Sequence, residues 1–170
     1  FTLNKDLLEI ISLSLRVTLS ALVISIVISI PFGAFLVFYK NKFQSAIILI
    51  SNTLMGMPPV VLGLIIYTLV SKKGIFGFLD ILYTPTAMIL AQTLLITPII
   101  ISLTYEEVYK KNKEINLLLD SLNLSNFVKL KTLIYECRFA LVTVTLTGFG
   151  RASAEVGAVM IVGGNINHFT

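Results

Sequence analysis

The chain has 170 residues, of which 56% are hydrophobic and 13% charged, and its mean hydropathy is +0.92. A soluble domain of this size must turn a largely polar outside to water and cannot hide so much apolar surface, which excludes that class. The net charge of +4 does not argue for nucleic acid, because the basic residues flank apolar runs as they do in membrane proteins. The single cysteine, Cys137, excludes a disulfide framework and a cysteine-based metal site.

Uncharged stretches run over 17–39, 43–71 and 81–105, and a fourth over 139–170 is interrupted only by Arg151 and Glu155. Each exceeds the ~20 residues that a helix needs to cross ~30 Å of hydrocarbon. Phe1 is not an initiator and nothing resembles a cleavable signal peptide, so the chain reads as a fragment. Residues 1–16 place Leu3, Leu7, Ile10, Ile11 and Leu15 at helical spacing among Lys5, Asp6 and Glu9. This pattern predicts an amphipathic helix near the membrane surface that runs into the first span, with Arg16 snorkelling to the headgroups. The first span covers 17–38, with Pro31 and Gly33 near its end, and Lys40 and Lys42 follow in a short polar turn. The second covers 44–70 and contains Gly56, Pro58, Pro59 and Gly63. A loop over 71–84 carries Lys72, Lys73, Gly74, Gly77 and Asp80. The third span, 85–104, starts at Pro85 and contains Pro98, and the fourth, 139–161, leads into Gly163-Gly164-Asn165.

Four crossings put 40–42 and 106–138 on one side, with Lys40, Lys42, Lys110, Lys111, Lys113, Lys129, Lys131 and Arg138. The other side holds Lys5, Arg16, Lys72 and Lys73. Eight basic residues against four place 106–138 in the cytoplasm. That segment is too patterned for a plain linker. Ile115, Leu118, Leu119 and Leu122 form one apolar helix face, with Asn112 as its cap. Asn123 follows, and Asn tolerates the left-handed conformation that ends helices. Ser125 is placed to cap a second helix in which Phe127, Leu130, Lys131 and Ile134 share a face. The outcome is a helix over 113–122, a sharp turn, and a helix over 126–136. It serves either as an interfacial cover for the spans or as a docking element for a cytoplasmic partner, and the tight turn with two apolar faces favours docking.

The segment resembles the cytoplasmic coupling loop of ABC-importer permeases, the EAA loop. Its Glu-Ala-Ala falls on Leu117-Leu118-Leu119, its Gly on Asn123 and its Pro on Glu136. Every signature position differs, but Asn keeps the turn conformation available and Leu keeps a helix former. The run Asn52-Thr-Leu-Met-Gly56-Met-Pro58-Pro59-Val-Val-Leu-Gly-Leu64 resembles the second core helix of oxyanion permeases. Gly148-Phe-Gly-Arg151-Ala-Ser-Ala-Glu155-Val-Gly-Ala158, followed by Gly163-Gly164-Asn165, resembles the helix after their coupling loop, with Ala154 where the family has Gly. The likeness covers nearly the whole chain and is greatest to the tungstate branch, with molybdate and sulfate permeases next. Family members carry a further crossing beyond the position of Thr170.

Polar and helix-breaking residues inside the spans are the pathway candidates. Pro removes a backbone hydrogen bond and kinks a helix, and broken helices in lipid are tolerated where the freed groups face protein or a water-lined path. Gly56, Pro58 and Pro59 midway along the second span read as pathway, whereas Pro31 and Pro98 serve packing equally well. Arg151 and Glu155 share a helix face, either as a gate or subunit lock or as a static pair. Ser51, Asn52, Thr53, Thr93 and Thr97 offer neutral donors, or bond their own helices. His168 reads as a surface residue.

The sequence thus predicts an all-α integral membrane protein, a type I ABC-importer permease-like bundle with about four transmembrane helices. The resemblance implies a homodimer with two cytoplasmic ABC ATPase subunits and an extracytoplasmic oxyanion-binding protein, working by alternating access in a bacterial or archaeal plasma membrane. Its cargo would be tungstate or molybdate. The chain has no phosphate-binding loop and no catalytic cluster, so it is not itself an enzyme; ATP and Mg belong to the partner subunits, and neither nucleic acid nor a metal site is expected. A secondary transporter or channel without an ATPase is the alternative, and the inverted repeat that would favour it is not visible.

Overall fold

The computed structural model describes residues 2–39 and 41–163, and the side chains at 2–7, 156–158 and 160 fall outside that description. Expectations for Lys40, His168 and Gly164-Asn165 therefore lie outside the described residues. All regular structure among the described residues is helical: α1 (Thr2–Leu36), α2 (Lys42–Met55), α3 (Pro59–Val70), a single 3-10 turn (Gly77–Leu79), α4 (Pro85–Ser121), α5 (Asn126–Glu136), α6 (Arg138–Ala154) and α7 (Val156–Gly163). In hydrocarbon every backbone amide and carbonyl must be satisfied within the segment, and a helix does this for an apolar run.

Local chemistry sets the boundaries. Asn41, in extended conformation, caps α2 by accepting from the Gln44 amide through its side chain at 3.0 Å. α2 stops at Met55 because Met57 and Pro58 each precede a proline, and such residues are barred from the helical region. Pro59 then occupies the first turn of α3, where its missing amide costs nothing. The Thr84 hydroxyl and carbonyl both accept from the Ala87 amide at the start of α4. Pro31 and Pro98 sit inside α1 and α4, which continue through them.

Two helices are long and apolar enough to cross a membrane, Leu8–Leu36 and Pro85–Ser121. Two further pairs, α2 with α3 and α5 with α6, qualify only when each pair is taken as one bent span. The chain is a multi-pass membrane protein by these helices. It divides into two compact units, the first built from the described parts of Phe1–Ile24, Met57–Ile96 and Phe149–Thr170, the second from Ser25–Gly56 and Thr97–Gly148. In the first unit α7 packs along α3, and Ile66, Val70, Ala87, Ala91 and Val162 form its core cluster. In the second, Ala34, Val37, Val108, Leu119, Leu133, Cys137 and Leu141 cluster at the level of the charged segment.

Small residues set the packing of α1 on α4 in the second unit. Ser25, Ser29 and Gly33 recur every four residues on α1, and Ser25 and Ser29 are fully buried. The Ser29 hydroxyl donates to the Thr97 carbonyl at 3.3 Å, and the Thr97 hydroxyl donates to Ser25 at 3.3 Å. A methyl group on Gly33 would meet the Ile101 carbonyl oxygen at 2.8 Å and Thr104 Cβ at 3.0 Å. This is the small-residue packing that membrane helices use in place of a hydrophobic driving force.

Two sequence expectations need correction. The charged segment does not begin with a helix of its own, because α4 runs unbroken from Pro85 to Ser121 and Asn112 lies within it rather than at a cap. Nothing between 104 and 113 breaks a helix, so propagation overrides the capping preference of one Asn. The expected run of the 1–16 helix into the first span is present as one continuous helix, since no Pro or Gly separates them. The fourth span is not continuous over 139–161, because α6 ends at Ala154 and α7 starts at Val156.

Gly33→Ala is expected to lower the melting temperature of the detergent-purified protein, with a stability loss of about 1–3 kcal/mol from overpacking against a backbone that cannot yield. Ser29→Ala, which removes one interhelical hydrogen bond, is expected to cost only about 0.6 kcal/mol. Equal melting temperatures for Gly33→Ala and the parent would show that the two helices separate freely.

Candidate coupling hairpin and intramembrane ion pair

The hairpin of α4 and α5 is built by a turn, an ion pair and a small core. Leu122 and Asn123 donate backwards to the Leu118 and Asp120 carbonyls at 3.2 and 3.0 Å, which closes the end of α4. Asn123 adopts φ 48°, the left-handed conformation that Asn enters at least cost among residues with a Cβ. Ser125 occupies the cap position of α5 in extended conformation, but its side chain makes no capping bond; its carbonyl accepts from the Lys129 amide at 3.0 Å instead. Lys129 Nζ meets Asp120 at 2.6 Å and ties α5 to the last turn of α4. Such a partly exposed pair contributes roughly 0–1 kcal/mol, so it selects the register more than it stabilises the hairpin. Glu136 ends α5, and α6 departs at 71° to it.

Burial separates the expected coupling residues into two groups. Leu119 and Leu133 are in the core cluster with Val108 and Cys137. Leu117 and Phe127 are 86% and 76% exposed, and Leu118 and Leu122 are exposed beside them. The expected face of Ile115, Leu118, Leu119 and Leu122 is therefore split: Leu119 faces the core and Ile115 packs against it, while Leu118 and Leu122 face outward. Phe127, grouped in sequence with Leu130 and Ile134, is likewise outside, whereas those two pack on the core. What the hairpin presents outward is an apolar tip on a braced support.

Arg151 and Glu155 form an ion pair, Nη2 to Oε1 at 3.0 Å, in which Glu155 is largely buried and Arg151 partly exposed. The pair straddles the end of α6. The Glu155 amide bonds back three residues to the Ala152 carbonyl at 3.4 Å, a tightening last turn. The same carbonyl accepts from Gln92 Nε2 at 3.3 Å on its second lone pair, beside the break before α7. Gln92, almost fully buried on α4, also donates to the Thr18 hydroxyl on α1 at 3.4 Å. The sequence reading missed this residue, although a lone amide within an apolar run is the available signal.

The neutral pathway candidates are mostly engaged. Thr53 and Thr93 donate to carbonyls of their own helices, Leu49 and Ile89, at 2.8 and 2.7 Å. Asn52 accepts from Ser102 through its side-chain oxygen, and Ser51 is buried. Asn52, Gly56 and Thr97 belong to the second unit, and Pro58, Pro59, Thr93, Arg151 and Glu155 to the first.

The contact between Arg151 and Glu155 predicts non-additive mutations. Glu155→Ala leaves a cation without its partner, which typically costs about 3–5 kcal/mol when the pair is buried, and less here because Arg151 is partly exposed. The double change Arg151→Ala with Glu155→Ala is expected to restore part of the lost assembly or uptake, with a coupling of about 0.5–3 kcal/mol. Strict additivity across the cycle would mean that the two side chains act independently.

No protein-family model matches the chain. Individual relatives do. It is 38% identical over 161 residues to the "Tungstate uptake system permease protein TupB" of Peptoclostridium acidaminophilum, covering 95% of this chain and 71% of that one. Identity to the protein of the same name from Campylobacter jejuni is 43% over 133 residues, 78% of this chain and 56% of the relative, so the chain spans little more than half of that protein's length. A "Probable anion ABC transporter permease protein" of Haloferax volcanii is 32% identical over 160 residues, 94% of this chain and 69% of the relative. With this identity over more than two thirds of two relatives, and with helices of membrane-spanning length, the chain belongs to the permease family of anion ABC transporters, in its tungstate-uptake branch.

Proposed function

We propose that this chain forms the membrane pathway of an ATP-driven tungstate importer and receives the power stroke through the hairpin of α4 and α5. The observation that carries this reading is the apolar tip of Leu117, Leu118, Leu122 and Phe127, exposed at the end of a hairpin fixed by Asn123, Lys129 and Asp120. A cover for the spans would turn such residues inward. A docking element turns them outward on a support stiff enough to transmit displacement. The partner at this tip is a cytoplasmic ABC ATPase, two per homodimer, which binds ATP and Mg. An extracytoplasmic binding protein delivers the oxyanion at the other face. The membrane is the bacterial or archaeal plasma membrane, with 106–138 on its cytoplasmic side.

In this scheme closure of the ATPases displaces the hairpin, and α4 carries the movement inward as one continuous helix from Ser121 to Pro85. Tungstate is a tetrahedral dianion, and recognition by the binding protein leaves the spans to offer passage rather than tight capture. Arg151 with Glu155 supports a gate or lock rather than a fixed anion site, since each charge already has its counter-charge.

Three measurements test the reading. Asn123→Gly is expected to copurify with as much ATPase as the parent, while Asn123→Val strains the left-handed turn by roughly 1–2 kcal/mol and is expected to copurify with less while the spans still insert. Equal amounts of ATPase with both variants would assign the hairpin a covering role. Impermeant maleimide should label Ser71→Cys from outside intact cells and leave Ser125→Cys unlabelled. Cys137 adds little background because it is buried and its burial pushes the thiol pKa up. The reverse labelling pattern would place the hairpin outside and end the coupling proposal. The reconstituted complex with its binding protein is expected to take up tungstate in preference to molybdate and sulfate, and ATP-driven uptake of an amino acid or sugar instead would refute the cargo.

A further inference from the structure

The connection between α3 and α4 is a folded apolar platform rather than a loose loop. Its backbone doubles back onto the end of α3: Gly74 donates to the Ser71 carbonyl at 2.7 Å, Phe76 to Leu69 at 2.9 Å, and Gly77 to Gly74 at 3.1 Å. A Cβ at Gly74 would lie 2.3 Å from the Thr68 and Leu69 carbonyl oxygens, so only glycine admits this approach. The 3-10 turn over Gly77–Leu79 closes with Asp80 at φ 46°.

This bonded frame holds large apolar side chains outward. Ile75 and Phe78 are 76% and 79% exposed, and Phe76 and Leu79 are exposed with them. Phe76 and Phe78 touch only at a tilt, with ring centroids 6.4 Å apart, and the outer faces of all four side chains stay uncovered by the connection. Two observations identify what covers them. The uncharged stretch that forms the apolar part of α4 begins at residue 81, directly after Asp80, so the platform sits where the hydrocarbon of a spanning helix ends. Lys72 and Lys73 are exposed beside it, which adds positive charge at the end of that apolar stretch. Aromatic and aliphatic side chains with flanking lysines at that depth are the composition of a membrane-interface anchor.

We infer that Ile75, Phe76, Phe78 and Leu79 insert into the interfacial region of the bilayer and that Lys72 and Lys73 hold anionic headgroups there. The platform thereby fixes the depth at which α3 ends and α4 begins. The inference holds whichever side of the membrane the connection faces, and so stands or falls apart from the transport reading.

The chain has no tryptophan, so a single Phe78→Trp substitution is its sole indole reporter. The full-length permease in its complex would be reconstituted into vesicles of phosphatidylethanolamine and phosphatidylglycerol, with N-acetyltryptophanamide in solution as the exposed control and any other tryptophan of the permease or its partner subunits replaced. At position 78 the expected emission is blue-shifted relative to the control and loses most of its intensity when the lipids are brominated high on the acyl chain. Lys72→Gln with Lys73→Gln is expected to reduce the dependence of that quenching on the phosphatidylglycerol fraction. Red emission quenched by iodide and not by brominated lipid would overturn the inference. Blue-shifted emission insensitive to brominated lipid would overturn it too, since protein would then cover the platform. A blue shift that appears only on addition of the binding protein would reassign the surface to docking.

Discussion

The structure depends on one constraint: in hydrocarbon no backbone group goes unpaired without a cost of several kcal/mol. Helices satisfy it by default, so every departure from a helix needs a local solution. At Gly56-Met57-Pro58 the break falls where proline leaves fewer amides to satisfy, and the Pro58 carbonyl receives the Val61 amide at 3.0 Å. At Glu155 the Ala152 carbonyl has two donors, one of them the Gln92 side chain. Between α3 and α4 the Phe76 amide returns to the Leu69 carbonyl of α3, and the amides of Gly74, Gly77, Leu79 and Asp80 bond to carbonyls within the connection. The breaks are therefore built elements, and each brings a polar or strained residue to a defined position.

The same constraint explains the composition of the helix contacts. Lipid is as apolar as leucine, so burying leucine gains little and close approach gains more. Ser25, Ser29 and Gly33 let α1 reach the α4 backbone, and their hydroxyls are used between the helices. Large apolar residues face outward along the same helix, as at Leu19, Val23 and Val27. This inverts the pattern of a soluble protein and follows from the change of solvent.

What could be read in the sequence was what local chemistry decides. The turn at Asn123 follows from one residue's tolerance of positive φ, and the pairing of Arg151 with Glu155 from helical spacing and the cost of a bare charge. The break in the second span follows from adjacent prolines. Continuity of α4 through Asn112 is not legible locally, because capping is a weak preference that an already propagating helix overrides. The division of the hairpin leucines, Leu119 inward and Leu117 outward, depends on Val108 and Leu133, which tertiary structure alone brings into one cluster. An isolated amide such as Gln92 carries no periodicity, and its role depends on the Ala152 carbonyl that the fold brings beside it.

A pathway for a dianion faces a conflict between attraction and release. A bare Arg within the bilayer costs about 2.5–3.5 kcal/mol on insertion scales, and a carried anion would recover part of that by binding to it. Binding of that kind holds the cargo as firmly as it attracts it, whereas conduction needs weak, repeated contacts. Here the charge of Arg151 is answered by Glu155 at 3.0 Å, so the resting pair offers an anion little net attraction. Any change that separates Glu155 from Arg151 exposes a cation. The pair lies where α6 gives way to α7, a point at which helix direction is set by a few hydrogen bonds around Ala152 rather than by a continuous ladder. A displacement there would alter the pair's geometry at small backbone cost. Under the proposed function, charge is then available to the cargo only while the protein is moving between states, and attraction and release are separated in time.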